Sequence, residues 1–202
     1  MSLPSFAVTY DYRCPFARNV HEHLITALED GADWDVRFLP FSLTQVHVDD
    51  DGGVPVWDDP DAYGDHMAIE AGLVVSRNSP ERFLAVHRSL FAARHDEARD
   101  ITDRKVISEV LATHGVEPEP VFAEVDAGWP REEFRTAHTK AVDEHQVFGV
   151  PTFIVGPDAV FARVMTRPAG DAQLARSTIE RIVRLTADHP ELNELKHTTV
   201  RR

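Results

Sequence analysis

The chain has 202 residues, enough for one domain with a good core or for one domain carrying an insertion. Lys and Arg number 21 against 34 Asp and Glu, and a formal net charge of −13 without a basic patch argues against nucleic acid and anionic membrane surfaces as partners. No apolar run approaches the ~18 residues of a membrane span, Met1–Ser5 lack the pattern of a secretory signal, and a single cysteine, Cys14, excludes intramolecular disulfides and multi-cysteine metal scaffolds, so a soluble cytoplasmic protein is expected.

In chain order, Phe6–Tyr10 alternates its side chains and is β-branched or aromatic, which predicts a strand. Past Asp11–Ala17, the residues Phe16, Ala17, Val20, Leu24, Ala27 and Leu28 share one helical face, and Gly31 sits where a helix stops. Trp34, Val36 and Phe38 alternate with charged residues and predict a second strand ending near Pro40. Strand, helix and strand in such close succession form a βαβ unit with parallel strands. Residues 47–61, rich in Asp, Gly and Pro, predict a solvated loop. From about Asp61 to Gln146 the patterns are helical, with starts at Ser79–Pro80, Thr102 and Pro130. Val147–Val155 returns to strand composition, Ala159–Val164 follows a turn, and a closing helix runs from about Asp171 to Ala187. This order predicts an α/β protein: a four-stranded mixed sheet from residues 1–60 and 147–190, an all-helical insertion at 61–146 lying over one end, and a polar tail at 191–202.

Cys14 lies between a strand and a helix, and Pro15 is preset for the first helical turn. The thiol therefore falls at the helix N-cap, where the N–H groups of Phe16 and Ala17 and the positive helix end favour the thiolate. Arg13 and Arg18 are close in sequence and add to that effect, so a lowered thiol pKa is expected.

Cys14-Pro15-Phe16-Ala17 after the first strand, with Gly149-Val150-Pro151-Thr152 before a late one, resembles the DsbA-like branch of the thioredoxin superfamily. That branch includes FrnE-type oxidoreductases, 2-hydroxychromene-2-carboxylate isomerases and kappa-class glutathione transferases, and the resemblance covers roughly Phe6 to Ala187. It implies a thioredoxin-like fold, a cis Val150–Pro151 bond facing Cys14, and a thiol- or substrate-binding surface from Tyr12, Arg13, Pro15, Phe16, Ala17, Val150 and Pro151. The oxidoreductases of the family carry a second cysteine where this chain has Ala17. Without it no internal disulfide forms, which leaves one-cysteine chemistry.

Other constellations are weaker. His21 and His23 stand about 200° apart around a helix and cannot easily share an ion, and neither HExxH nor clustered Cys/His spacing occurs. The 11 histidines are read as scattered solvated or capping groups, and His47–Asp58 as a solvated acidic loop rather than a calcium site. Tyr12, Phe16, Trp57, Tyr63 and Phe148 are candidates to line a pocket near Cys14. The leading expectation is a DsbA-like thiol oxidoreductase using Cys14 alone. Its cosubstrate would be glutathione or mycothiol, with no metal and no permanently bound cofactor. Its partners would be a small-molecule thiol and a small organic or protein disulfide, with a homodimer left open. The alternatives are a kappa-class-like transferase or isomerase, and a non-catalytic thioredoxin-fold protein that binds extended peptides.

Overall fold

The computed structural model describes residues 3–194 and 196, so the end of the expected polar tail lies outside the described residues. The chain runs β1 (Phe6–Tyr10), α1 (Pro15–Glu29), β2 (Val36–Pro40), α2 (Leu43–Asp51) and a short 3-10 turn (Pro60–Ala62). The helices α3 (Tyr63–Asn78), α4 (Pro80–His95), α5 (Arg104–Thr113), α6 (Pro118–Asp126) and α7 (Trp129–His145) follow. Strands β3 (Thr152–Val155) and β4 (Asp158–Phe161) and helix α8 (Ala172–Asp188) close it.

The sheet order is β2-β1-β3-β4, with β1 parallel to β2 and antiparallel to β3, and β3 antiparallel to β4. Strand β1 is central and buried along its whole length. Phe6 and Val8 point to the face covered by α1 and α8, where they meet Val20, Leu24, Ile179 and Val183. Ala7 points to the opposite side and joins a larger apolar cluster shared with the inserted helices. That one cluster takes in Phe41, Leu90, Ile107, Leu111 and Phe134, so the insertion and the sheet bury their apolar surface against each other.

Two local readings need correction. The segment expected as a loop from residue 47 begins inside helix α2, which Ser42 caps by accepting the Gln45 N–H and Gly52 ends in the left-handed region at φ 69°. Helix α5 is capped by Asp103 rather than Thr102, the carboxylate accepting the Lys105 N–H.

The expectation of solvated histidines is overturned at His21, His66, His87 and His138, all of which are buried. Helices α1, α3, α4 and α7 turn these side chains inward, where ring–ring packing with Tyr10, Phe38, Phe41 and Trp57 occupies their faces. Burial opposes the charged imidazolium and lowers the pKa of His21 to about 3, of His66 and His138 to about 4, and of His87 well below the ordinary value. Between pH 6.5 and about 4 the unfolded chain binds protons that the native chain refuses, so stability must fall as pH falls through that window. The loss amounts to about 2 kcal/mol for each of His66 and His138 at pH 5. Urea unfolding between pH 7 and 5 should show this steep decline. A flat stability across that range, above the titration of ordinary carboxylates, would contradict the buried neutral histidines.

Candidate active site

Cys14 ends the turn from β1 into α1. Its backbone is extended at φ −91° and ψ 117°, and its carbonyl accepts the Arg18 N–H at 3.1 Å. Pro15 at the first helical position sacrifices no hydrogen bond, because that N–H has no intrahelical partner. The sulfur accepts the Ala17 N–H at 3.4 Å, and the S–H faces the Val150 carbonyl, also at 3.4 Å. The Val150–Pro151 peptide bond is cis. Thr9 of β1 ties this loop to the sheet: the Thr152 N–H donates to its Oγ1 at 2.8 Å, and its hydroxyl donates to the Gly149 carbonyl at 3.5 Å.

The thiol is only 7% exposed. Burial pushes its pKa up, the N–H groups of Ala17 and Phe16 pull it down, the Asp11 charge pushes it up and the Arg163 charge pulls it down. The net direction is upward, which corrects the expected lowering. The helix-start donors are present as anticipated, but they are outweighed by desolvation, and the Val150 carbonyl rewards the protonated form.

Arg13 and Arg18 are both spoken for. Arg13 lies against Asp11 at 3.4 Å and donates to Thr44 Oγ1 at 2.6 Å, while Arg18 pairs with Asp96. Asp11, itself buried, also accepts the N–H groups of Arg13 at 2.9 Å and of Leu43 at 3.1 Å. One carboxylate thus joins the Cys14 turn to the start of α2. Sequence reasoning missed both Asp11 and Arg163: neither belongs to a local motif, Asp11 standing in the turn before Arg13 and Arg163 just past β4.

Tyr12 belongs to the core rather than to a ligand surface. Its hydroxyl meets His87 Nδ1 at 2.7 Å, His87 Nε2 meets His21 Nδ1 at 2.9 Å, and His21 Nε2 meets the Thr9 carbonyl at 3.4 Å. A carbonyl only accepts, so His21 must carry its proton on Nε2, His87 must donate from Nε2, and Tyr12 must donate to His87. Each neutral group has one role in this chain, and the hydroxyl has only 3.0 Å to where a Cβ on Gly72 would sit. His95 Nε2 donates to the Tyr12 carbonyl at 2.8 Å. Trp57 is buried against His66, His138 and Phe134, and Tyr63 lies under Arg131. Of the candidate aromatics, Phe16 follows Pro15 on the half-buried rim and Phe148 is exposed just before the Gly149–Pro151 loop. Pro15 is exposed, whereas Ala17, Val150 and Pro151 are buried around the sulfur. Among the described residues no group of three or more His, Cys, Asp or Glu is arranged to hold a metal ion, and no helix is long and apolar enough to cross a membrane.

A thiol delivered by a strand-to-helix turn against a cis-proline loop, on a β2-β1-β3-β4 sheet, defines a thioredoxin-like protein. The sequence pattern of the DSBA-like thioredoxin domain matches residues 7–167, and the chain belongs to that family. Among solved structures it is similar in fold to 2-hydroxychromene-2-carboxylate isomerase, at TM-score 0.63 and 16% identity over 91% of this chain and 98% of that one. It is similar to MdbA, a thiol-disulfide oxidoreductase from Actinomyces oris, at TM-score 0.61 and 18% identity over 87% of this chain and 80% of that one. The cytosolic disulfide reductase DsbM from Pseudomonas aeruginosa, solved with GSH, matches at TM-score 0.61 and 19% identity over 90% of this chain and all of that one. No curated protein matches the chain.

Because the native thiol is held protonated, alkylation of Cys14 by iodoacetamide should titrate with a midpoint above the free-thiol value of about 8.5. The unfolded chain should react with the ordinary midpoint. A native midpoint below that of the unfolded chain would show that the helix-start donors win over burial.

Proposed function

We propose that the protein is a one-cysteine thiol–disulfide exchange enzyme whose Cys14 accepts and returns a low-molecular-weight thiol, glutathione or mycothiol, in a reducing cytoplasm. The observation that supports this reading is the position of the sulfur. It sits at a helix start, with one backbone donor on one side and the Val150 carbonyl on the other, and position 17 is alanine. In the forward step a base removes the Cys14 proton and the thiolate attacks a disulfide RS–SR. The Cys14–SR bond forms, the RS–SR bond breaks, and the leaving thiolate takes up the proton. An incoming thiol then repeats the exchange on the adduct. Ala17 offers no sulfur for internal resolution, so the adduct must wait for that second thiol. Once Cys14 is joined to sulfur its S–H is gone, and the Val150 carbonyl loses its donor, which favours return to the free thiol.

The similarity in fold to DsbM, solved with GSH, supports glutathione as the thiol to test first. A second reading, a transferase or isomerase that holds a thiol as cosubstrate, is supported by the similarity in fold to 2-hydroxychromene-2-carboxylate isomerase. A binding role without catalysis is the third reading, and the burial of Cys14 in the apolar cluster with Ala17 and Val150 supports it.

Intact-mass measurement after incubation with glutathione disulfide should show a single one-to-one adduct that an added monothiol reverses. Ala17→Cys should convert the adduct into an internal disulfide and confer dithiol reductase activity. If native Cys14 forms no adduct while the unfolded chain does so readily, the exchange reading fails and a binding role takes its place.

A further inference from the structure

Arg163 follows β4, is exposed, and its charge reaches the Cys14 thiol. Its guanidinium carbon lies 5.3 Å from the Phe16 ring centroid and 5.6 Å from that of Phe161. Phe161 packs in turn on Phe148 at 5.3 Å between centroids, and Phe148 is 66% exposed directly before Gly149 and the cis-proline loop. An aromatic ledge therefore runs from the helix start to that loop, with a cation seated on it.

Many arginines of this chain, Arg18, Arg88, Arg104 and Arg131 among them, meet carboxylates, as a net charge of −13 makes easy. Among the described residues Arg163 has no carboxylate partner. Aromatic faces hold a guanidinium in place while leaving its N–H fork open, and that fork matches a carboxylate in two parallel bonds.

We propose that Arg163, seated on Phe16 and Phe161, binds the carboxylate of an anionic small-molecule disulfide and so sets the charge selectivity of exchange at Cys14. This rests on the exchange reading of Cys14. The substrate class is then a disulfide with carboxylates near its sulfurs, of which glutathione disulfide is the test case. A sugar-linked disulfide such as that of mycothiol presents hydroxyls and amides instead and gains nothing from the fork. The surrounding negative charge of the protein repels anions in general, and an open cation over Phe16, at the start of the cysteine's helix, offsets that repulsion.

The test compares adduct formation at Cys14 with glutathione disulfide (anionic), hydroxyethyl disulfide (neutral) and cystamine (cationic), each rate divided by that of the unfolded chain. The native protein should prefer glutathione disulfide over the neutral probe by about tenfold, and Arg163→Gln should abolish that preference. Arg163→Lys should keep part of it, because the charge remains and the fork is lost. Loss of the arginine also withdraws a charge that favours the thiolate, but that slows all three probes alike and leaves their ratios unchanged. Equal slowing of the three probes would therefore overturn the proposal while leaving exchange intact. Failure of all three probes on native protein would instead overturn the exchange reading itself.

Discussion

The sulfur of Cys14 is shared between an N–H of α1 and the carbonyl of Val150, each at 3.4 Å. The two bonds pull in opposite directions. The Ala17 donor favours thiolate, whereas the Val150 acceptor and burial favour thiol. Burial outweighs the donors, so the group rests as the thiol.

Holding the turn falls to buried polar groups with few alternatives. The Asp11 carboxylate collects backbone and guanidinium donors from Arg13 and a backbone donor from Leu43, so β1, α1 and α2 meet at one charge. On the other side the Thr9–His21–His87–Tyr12 chain admits one arrangement of protons when every member is neutral. Such a chain is costly to leave half-satisfied, and so it fixes the relation of β1 to α1 and α4. The same burial that makes the chain specific makes the fold sensitive to acid.

Much of this could be read from sequence where the signal is local. The period-two alternation of Phe6–Tyr10, the apolar stripe through Val20 and Leu24, and Pro15 after Cys14 each report one element, and the βαβ–helices–ββα order follows from adding them. Helix α2 escaped because its Asp-rich stretch lacks a clear apolar stripe, although Ser42 followed by Gln45, with Gly52 behind, carried a capping signature. The histidines escaped for a different reason. Whether an imidazole faces solvent depends on partners such as His87 for His21, which lie 66 residues away. Arg163 escaped likewise, since its place over Phe16 is set by the packing of β4 and not by its neighbours in the chain.

Exchange through a single protein sulfur, as proposed for Cys14, is tested by a redox titration in glutathione buffers, read by intact mass. If one protein thiol exchanges with one disulfide, the adduct fraction depends on the ratio of disulfide to thiol and stays constant when both are raised together. Constancy over a tenfold range of total glutathione at fixed ratio is the predicted result. A fraction that changes with total concentration, or an adduct that never forms on the folded chain, would contradict it.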